Sequence, residues 1–208
     1  DQDGEADRKV VFADGFNSEI TGLAGSVLAH GDSVYTTIIP SLWQLRDTDD
    51  DGTADESKEA VTGFGLHIGY GGHDMHGLTA GPDGRIYWSI GDKAFSVTDS
   101  NGGHHHFPYH GAVLRCEPDG TNFEVFAKGL RNPQELAFDE FGHLFVVDND
   151  GDFGDGERFH YLLEGSDSGW RSYYQYRNNK KLGDVAGYNA LSAENLSKPY
   201  FYGQAANI

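Results

Sequence analysis

The chain repeats one layout three times, and this internal repeat constrains its fold more than any other feature. Each copy begins with a short apolar segment, passes through a tight turn and enters a second apolar segment that carries a paired aromatic residue. These aromatic residues are Tyr35, Tyr87 and Phe145, with spacings of 52 and 58 residues. Further short apolar segments follow each pair, and little in the sequence indicates a long helix. Four short antiparallel strands in a unit of about 50 residues are typical of a β-propeller blade.

We therefore predict an all-β chain of four-stranded antiparallel blades, about three of them recognisable; the alternative is a β-sandwich with fortuitous turns. The predicted organisation is a lead-in at 1–19, propeller blades at 20–170, and an aromatic-rich tail or the start of a further blade at 171–208. A closed ring needs at least four blades. Either the chain is part of a longer protein, or a partner completes the ring, or the tail supplies further strands. Because open blade edges tend to pair, we also expect self-association.

The composition limits the partners of such a chain. Its 208 residues carry a formal net charge of −18, which argues against nucleic acid as a partner and fits a protein that binds cations. Hydrophobic residues make up 38% of the chain, enough for a packed core. We expect no membrane span, since there is no run of about 18 apolar residues. The single cysteine, Cys116, excludes a disulfide within the chain.

An acidic loop has the spacing of a calcium site. Residues 47–52 form a DxDxDG pattern in which Gly52 allows a sharp turn. Position 12 of the loop, which is Glu in an EF-hand, is Lys58, so Glu56 or Glu59 would have to supply the last ligand. The alternative is a solvated acidic turn. Propeller geometry puts this loop on the face opposite the candidate site described next, which implies a structural role. The predicted ligands are Asp47, Asp49, Asp51, Thr53 through its carbonyl, and Asp55.

Two loops between blades carry polar residues at equivalent places. His73 lies five residues before Leu78, and Arg131 lies five residues before Leu136. In a four-stranded blade, the link to the next blade and the link between the second and third strands share one face. We therefore predict that His73, Arg131 and Asn132 converge on one cleft, with the acidic segment 148–156 beside them. The alternative for His73 is a loop histidine with a local hydrogen bond.

A run of histidines follows the second blade's second strand. His104, His105 and His106 are consecutive, and His110 lies close by. Such residues can bind a transition metal. We interpret the run as an exposed polar loop, because adjacent histidines rarely converge on one ion without a further ligand.

Two segments resemble a known family. HDMHGLTAGPDGRIYWSIGD and GLRNPQELAFDEFGHLFVVDND are similar to the soluble quinoprotein glucose/sorbosone dehydrogenases, and more closely to the planctomycete-type "membrane-bound dehydrogenase" proteins that carry that domain. The resemblance implies a six-bladed propeller with His73 as general base. It also implies that Arg131 and Asn132 bind pyrroloquinoline quinone, and that carbonyls near Asp150 and Gly151 hold a calcium ion beside it.

The resemblance implies an extracytoplasmic protein, periplasmic or secreted, that oxidises a sugar or other alcohol with pyrroloquinoline quinone and calcium. The segments around Glu157 and Trp170 match the family less firmly. Two other functions stay open. One is a non-catalytic, calcium-stabilised propeller that binds a carbohydrate or protein partner, and the other is a calcium-dependent hydrolase or lactonase, because one fold hosts several chemistries.

Overall fold

The computed structural model describes residues 9–19, 21–66, 72–149 and 156–171. Within these ranges the chain forms β-strands and no helix, as the sequence predicted. Consequently, no described segment is a helix long and apolar enough to cross a membrane. The strands are β1 (Ala24–His30), β2 (Ser33–Ile38), β3 (Ser41–Arg46), β4 (Glu56–Thr62), β5 (Met75–Ala80), β6 (Ile86–Ile90), β7 (Phe95–Thr98), β8 (His104–Phe107), β9 (Gly111–Cys116), β10 (Glu124–Leu130), β11 (Pro133–Phe138), β12 (Leu144–Asp148) and β13 (Arg158–Leu162).

The strands form antiparallel sheets that follow the chain order. The first blade is β1-β2-β3-β4, and the second is β5-β6-β9-β10. The third sheet, β11-β12-β13, supplies three strands of a further blade within the described residues. The predicted fold class, an all-β partial propeller, is confirmed. The predicted tail at 171–208 lies outside the described residues except for Arg171.

The first strands of the blades lie side by side, as they do around a propeller axis. β1 contacts β5, and β5 contacts β11. Two glycines permit this approach: a Cβ atom on Gly25 would lie 2.0 Å from the carbonyl oxygen of Met75, and one on Gly77 would lie 2.8 Å from that of Gln134. Any larger residue at Gly25 would push the first two blades apart.

Apolar side chains fill the spaces between blades. Trp88 and Phe64 pack edge-to-face at 5.9 Å in the cluster between the first two blades. Tyr87 points the other way, into the cluster with Leu136 and Leu144 of the third sheet. Because β6 is covered on both faces, all five of its residues are buried, which fits a strand that is apolar except for Ser89, whose hydroxyl donates to the Pro133 carbonyl.

The third sheet has one covered and one exposed face. Leu144 and Val146 pack against the second blade, whereas Phe145 and Phe159 stack on the opposite face with ring centroids 5.3 Å apart. The Phe159 residue is 73% exposed. The self-association expected from open blade edges stays a prediction.

One sequence interpretation was wrong. The histidine run was taken for a polar loop, but His104–Phe107 forms β8, which pairs with β7 as a hairpin between β6 and β9. The hairpin adds a two-stranded sheet to the second blade. The sequence did not reveal the apolar face of this hairpin. Each strand has only four residues, and the apolar positions are Phe95, Val97 and Phe107, too few to show a clear alternation.

Candidate functional site

The links between strands place five polar residues at the meeting point of the second and third blades. His73 precedes β5, Asp92 follows β6, Arg131 and Asn132 connect β10 to β11, and Asp148 ends β12. All five are buried. We call this group the junction site. These links lie on one face of the propeller, as the sequence predicted for His73, Arg131 and Asn132.

A histidine–carboxylate pair forms one side of the junction site. His73 Nδ1 donates a hydrogen bond of 2.8 Å to Asp92 Oδ1, and the two side chains are 8% and 9% exposed. A carboxylate on Nδ1 keeps the proton on that nitrogen and orients the ring, so that Nε2 is the basic atom. An imidazole held in this way can act chemically as a general base.

Asp92 also joins this pair to the next blade. Its backbone amide donates to the carbonyl oxygen of Arg131 at 2.7 Å. Gly91 makes the approach possible, since a Cβ atom there would lie 2.7 Å from the carbonyl oxygen of His73 and 2.8 Å from Asn132 Oδ1. The structure thus brings His73, Arg131 and Asn132 together around the Gly91–Asp92 turn.

A buried carboxylate holds the other side. Asp148 Oδ1 accepts hydrogen bonds from the backbone amides of Arg131 at 3.1 Å and Asn132 at 2.7 Å. Burial raises the pKa of Asp148 to about 6, although these amides and the charges of Arg158 and Arg131 oppose that shift. Asp148 therefore fixes the backbone direction of the segment that aims the Arg131 and Asn132 side chains.

The side chains of the Arg131–Asn132 segment have distinct surroundings. The Arg131 guanidinium lies 5.9 Å from the centre of the Trp170 ring, close enough for a cation–π contact. Asn132 Nδ2 donates to Asn149 Oδ1 at 2.5 Å. Asn132 Oδ1 is buried and accepts no hydrogen bond within the part of the chain that the structure describes. A buried acceptor of this kind suits a ligand that brings a donor or a cation.

Sequence reasoning missed three residues near this site and the role of a fourth. Asp92, which follows β6, was overlooked as an anchor; Asp148, which ends β12, lies in the segment 148–156 predicted beside the cleft, but its hold on the Arg131–Asn132 backbone was not predicted. Lys93, paired with the buried Asp74, also lies in the link after β6. An acidic residue at the end of an apolar strand was the available signal for the first two; nothing in the sequence indicated that Lys93 and Asp74 meet.

The acidic loop lies between β3 and β4, in the turn that propeller geometry assigns to the opposite face. The carboxylate oxygens of Asp47, Asp49 and Asp55 lie within 4.8 Å of one another. Asp51, a predicted ligand, instead accepts the amide of Thr53 at 2.7 Å through Oδ1. Three of the four predicted carboxylates therefore converge.

Asp49 and Asp55 of this loop have opposite electrostatic surroundings. The negative charge of Asp55 is the main cause that raises the pKa of Asp49. Asp55 itself has a lowered pKa because the backbone amide and hydroxyl of Thr48 both donate to it. The loop also holds the N-terminal segment, because the Ala54 amide donates to the Phe12 carbonyl at 2.7 Å.

Two of the residues predicted to bind calcium lie outside the described part of the chain, whereas Glu157 lies within it. Asp150 and Gly151, the expected calcium-binding carbonyls beside the quinone, lie outside the described residues. Glu157 lies near the site, with its Oε2 3.5 Å from Asn149 Nδ2.

The solved structures that match this chain include sugar dehydrogenases. A PQQ-bound aldose sugar dehydrogenase from Streptomyces coelicolor matches with 19% identity and a TM-score of 0.48, over 74% of this chain and 47% of that one. A glucose dehydrogenase matches with 20% identity and a TM-score of 0.47, over 73% and 44%. This chain thus spans less than half the length of either structure. No curated protein matches the chain.

A family model covers almost all of the sequence. The model described as "Domain of unknown function (DUF7133)" matches residues 1–203. With its β-propeller blades and its junction site, the chain belongs to the DUF7133 family.

Proposed function

We propose that this chain is part of a quinoprotein dehydrogenase that oxidises a sugar or other alcohol with pyrroloquinoline quinone and calcium. One observation carries the proposal: the buried, carboxylate-oriented His73 lies beside the Arg131–Asn132 segment in one junction. The likeness of the quoted segments to quinoprotein dehydrogenases supports the same assignment. We further propose that the protein works outside the cytoplasm, as that resemblance implies.

His73 is the proposed general base. Oxidation of an alcohol removes a proton from its hydroxyl group and a hydride from its carbon. Nε2 of His73 would accept the hydroxyl proton while Asp92 holds the ring and stabilises the imidazolium that forms. When bound, the quinone supplies the chemistry of hydride acceptance.

Arg131, Asn132 and Trp170 are the proposed cofactor-binding residues of the described part of the chain. Pyrroloquinoline quinone is a planar, anionic molecule. Its charge fits Arg131, which is only 5% exposed and whose guanidinium can donate charge-assisted hydrogen bonds to an anion. The buried oxygen Asn132 Oδ1 could accept a hydrogen bond from the ligand or contact a cation bound with it. The residues present therefore fit the group, with Asp150 and Gly151 the proposed carbonyl ligands of a calcium ion next to it.

A second calcium ion is proposed for the acidic loop. Asp47, Asp49 and Asp55 would ligate it through their converging carboxylates, with the Thr53 carbonyl and Asp51 completing the shell after a small rearrangement. Its role is structural: it would hold β3, β4 and the N-terminal segment together.

The test is reconstitution of the purified protein with calcium and pyrroloquinoline quinone, followed by absorbance of the reduced quinone after addition of aldoses and polyols. We expect oxidation of at least one of these substrates. His73→Asn should lower turnover about a hundredfold or more while quinone still binds, because the base is lost. Arg131→Gln should instead weaken quinone binding, because a charged donor is lost.

His143→Gln is the matched control, since this exposed histidine lies on the turn between β11 and β12, away from the junction site. It should retain full activity. If the wild type binds quinone but oxidises no aldose or polyol, the general-base assignment of His73 is wrong. If neither quinone binding nor oxidation occurs while calcium still stabilises the protein, the chain is a binding module.

A further inference from the structure

The β7–β8 hairpin gives two histidines the same exposed face. In β8, His104 and His106 are exposed whereas His105 between them is half-buried, because successive side chains of a strand point to opposite faces. Their cross-strand partners on β7 are Thr98 and Ser96. The two imidazole rings stack with centroids 5.9 Å apart and planes 10° from parallel.

The hydroxyl group of Ser96 contacts one nitrogen atom of each ring. Ser96 Oγ lies 3.5 Å from His104 Nε2 and 3.1 Å from His106 Nδ1. Thr98 Oγ1 lies 3.3 Å from the other nitrogen of His104. The Ser96 hydroxyl oxygen therefore lies between one nitrogen of His104 and one nitrogen of His106, the two atoms that could ligate an ion.

The opposite face of the hairpin anchors this pair. Phe95 is fully buried and its ring lies 5.2 Å from that of Phe107. His105 bonds to Asp99 Oδ2 at 2.8 Å and stands edge-on to Phe123, with ring centroids 5.0 Å apart. The Ser96 amide donates to the Gly63 carbonyl, which ties β7 to the first blade. The two exposed histidines thus project from a packed platform.

We propose that His104 and His106 form a two-histidine site for a divalent late transition-metal ion such as Cu²⁺, Ni²⁺ or Zn²⁺, with water completing its coordination. Imidazole nitrogen suits these ions, whereas Ca²⁺ takes oxygen ligands and belongs in the acidic loop. Two ligands on one rigid strand bind one ion more tightly than either histidine alone, since the second contact is intramolecular. The net charge of −18 further favours a cation. This site is independent of the quinone chemistry.

The test is calorimetric titration of the untagged protein with ZnCl₂ in the presence of about 1 mM CaCl₂, which keeps the acidic loop occupied. We expect one Zn²⁺ to bind, and His104→Gln and His106→Gln each to weaken that binding at least about tenfold. The double variant should bind more weakly than either single variant, because each single variant still keeps one imidazole ligand. CuCl₂ should bind more tightly than ZnCl₂.

His143→Gln is again the matched control, because it removes another exposed histidine that bonds to a carboxylate of its own turn. Its Zn²⁺ affinity should equal that of the wild type. Since His104 and His106 are exposed, their variants should also keep the wild-type melting temperature without metal. Unchanged Zn²⁺ affinity in both single variants, or an equal loss in His143→Gln, would overturn the proposal.

Discussion

The carboxylates of this protein's junction site and those of its acidic loop both lie at or near the ends of strands, yet their surroundings differ completely. In the junction site, Asp92 and Asp148 are buried and their oxygens accept from His73 and from backbone amides. In the acidic loop, Asp49 and Asp55 lie at the surface, and their charges repel each other. The junction carboxylates are held by groups from neighbouring links, whereas the loop carboxylates accept from groups of their own loop but crowd together, so that an external cation would stabilise them.

The pKa values of Asp148 and Asp49 show the same difference between the buried junction site and the exposed acidic loop. Asp148 and Asp49 both have raised pKa values, but burial is the main cause for Asp148 and the charge of Asp55 is the main cause for Asp49. A bound cation would offset the repulsion at Asp49, whereas Asp148 regains contact with water only when the protein unfolds. The two groups should therefore respond to different perturbations, and three experiments can establish or refute this contrast.

The largest expected effect is the loss of the junction carboxylate. Asp148→Ala leaves the amides of Arg131 and Asn132 buried without their acceptor, which should lower the free energy of unfolding by about 2–4 kcal/mol. In calcium-free buffer, Asp49→Ala should cause no loss, because it removes a repelling charge. Urea unfolding of both variants measures this difference. Equal losses would show that the two carboxylate groups do not differ as proposed.

The second effect is specific to the acidic loop. Adding calcium to chelator-treated protein should raise the melting temperature by about 5 °C or more once calcium exceeds its dissociation constant about a hundredfold. Asp49→Ala should abolish this shift, because it removes one of the three converging carboxylates. Glu140→Ala is a suitable control, since it removes an exposed acidic residue from another turn. A melting curve that calcium does not move would contradict the predicted structural site.

The smallest effect concerns the pH dependence of the buried groups. Burial lowers the pKa values of His110 and His160 to about 4, so the stability they contribute is present above pH 6.5 and is lost as the pH falls toward 4. The raised pKa of Asp148 acts in the opposite sense: its contribution is present below pH 3.8 and is lost as the pH rises through 6. Two histidines outweigh one carboxyl group, and acidification from pH 7 to pH 5 should cost about 2 kcal/mol net.

Urea unfolding at the two pH values measures this cost. His160→Leu should remove most of it, because His160 is 2% exposed and its Nε2 has no hydrogen-bond partner within the described residues. An unaltered pH dependence in His160→Leu would mean that this histidine does not titrate as its burial implies.

Much of the fold could be predicted because its signals are local. Short apolar segments separated by turn residues predicted the repeat of antiparallel blades, and matching offsets before Leu78 and Leu136 predicted that His73 and Arg131 share one face. The hairpin at β7–β8 escaped prediction because two four-residue strands carry too few apolar residues to show alternation. The pairing of His73 with Asp92 escaped as well, because it joins residues 19 positions apart in different links.

The sequence by itself determined the blade repeat, the acidic loop and the candidate residues, since each depends on the order and spacing of neighbouring residues. Only the tertiary structure decided how these residues are used. It turned a run of three histidines into two exposed rings on one face and a third on the other, because a strand alternates its side chains. It also buried Asp148 beneath Arg131 and Asn132 while leaving Asp49 in water, a difference set by packing between blades, which no local pattern records.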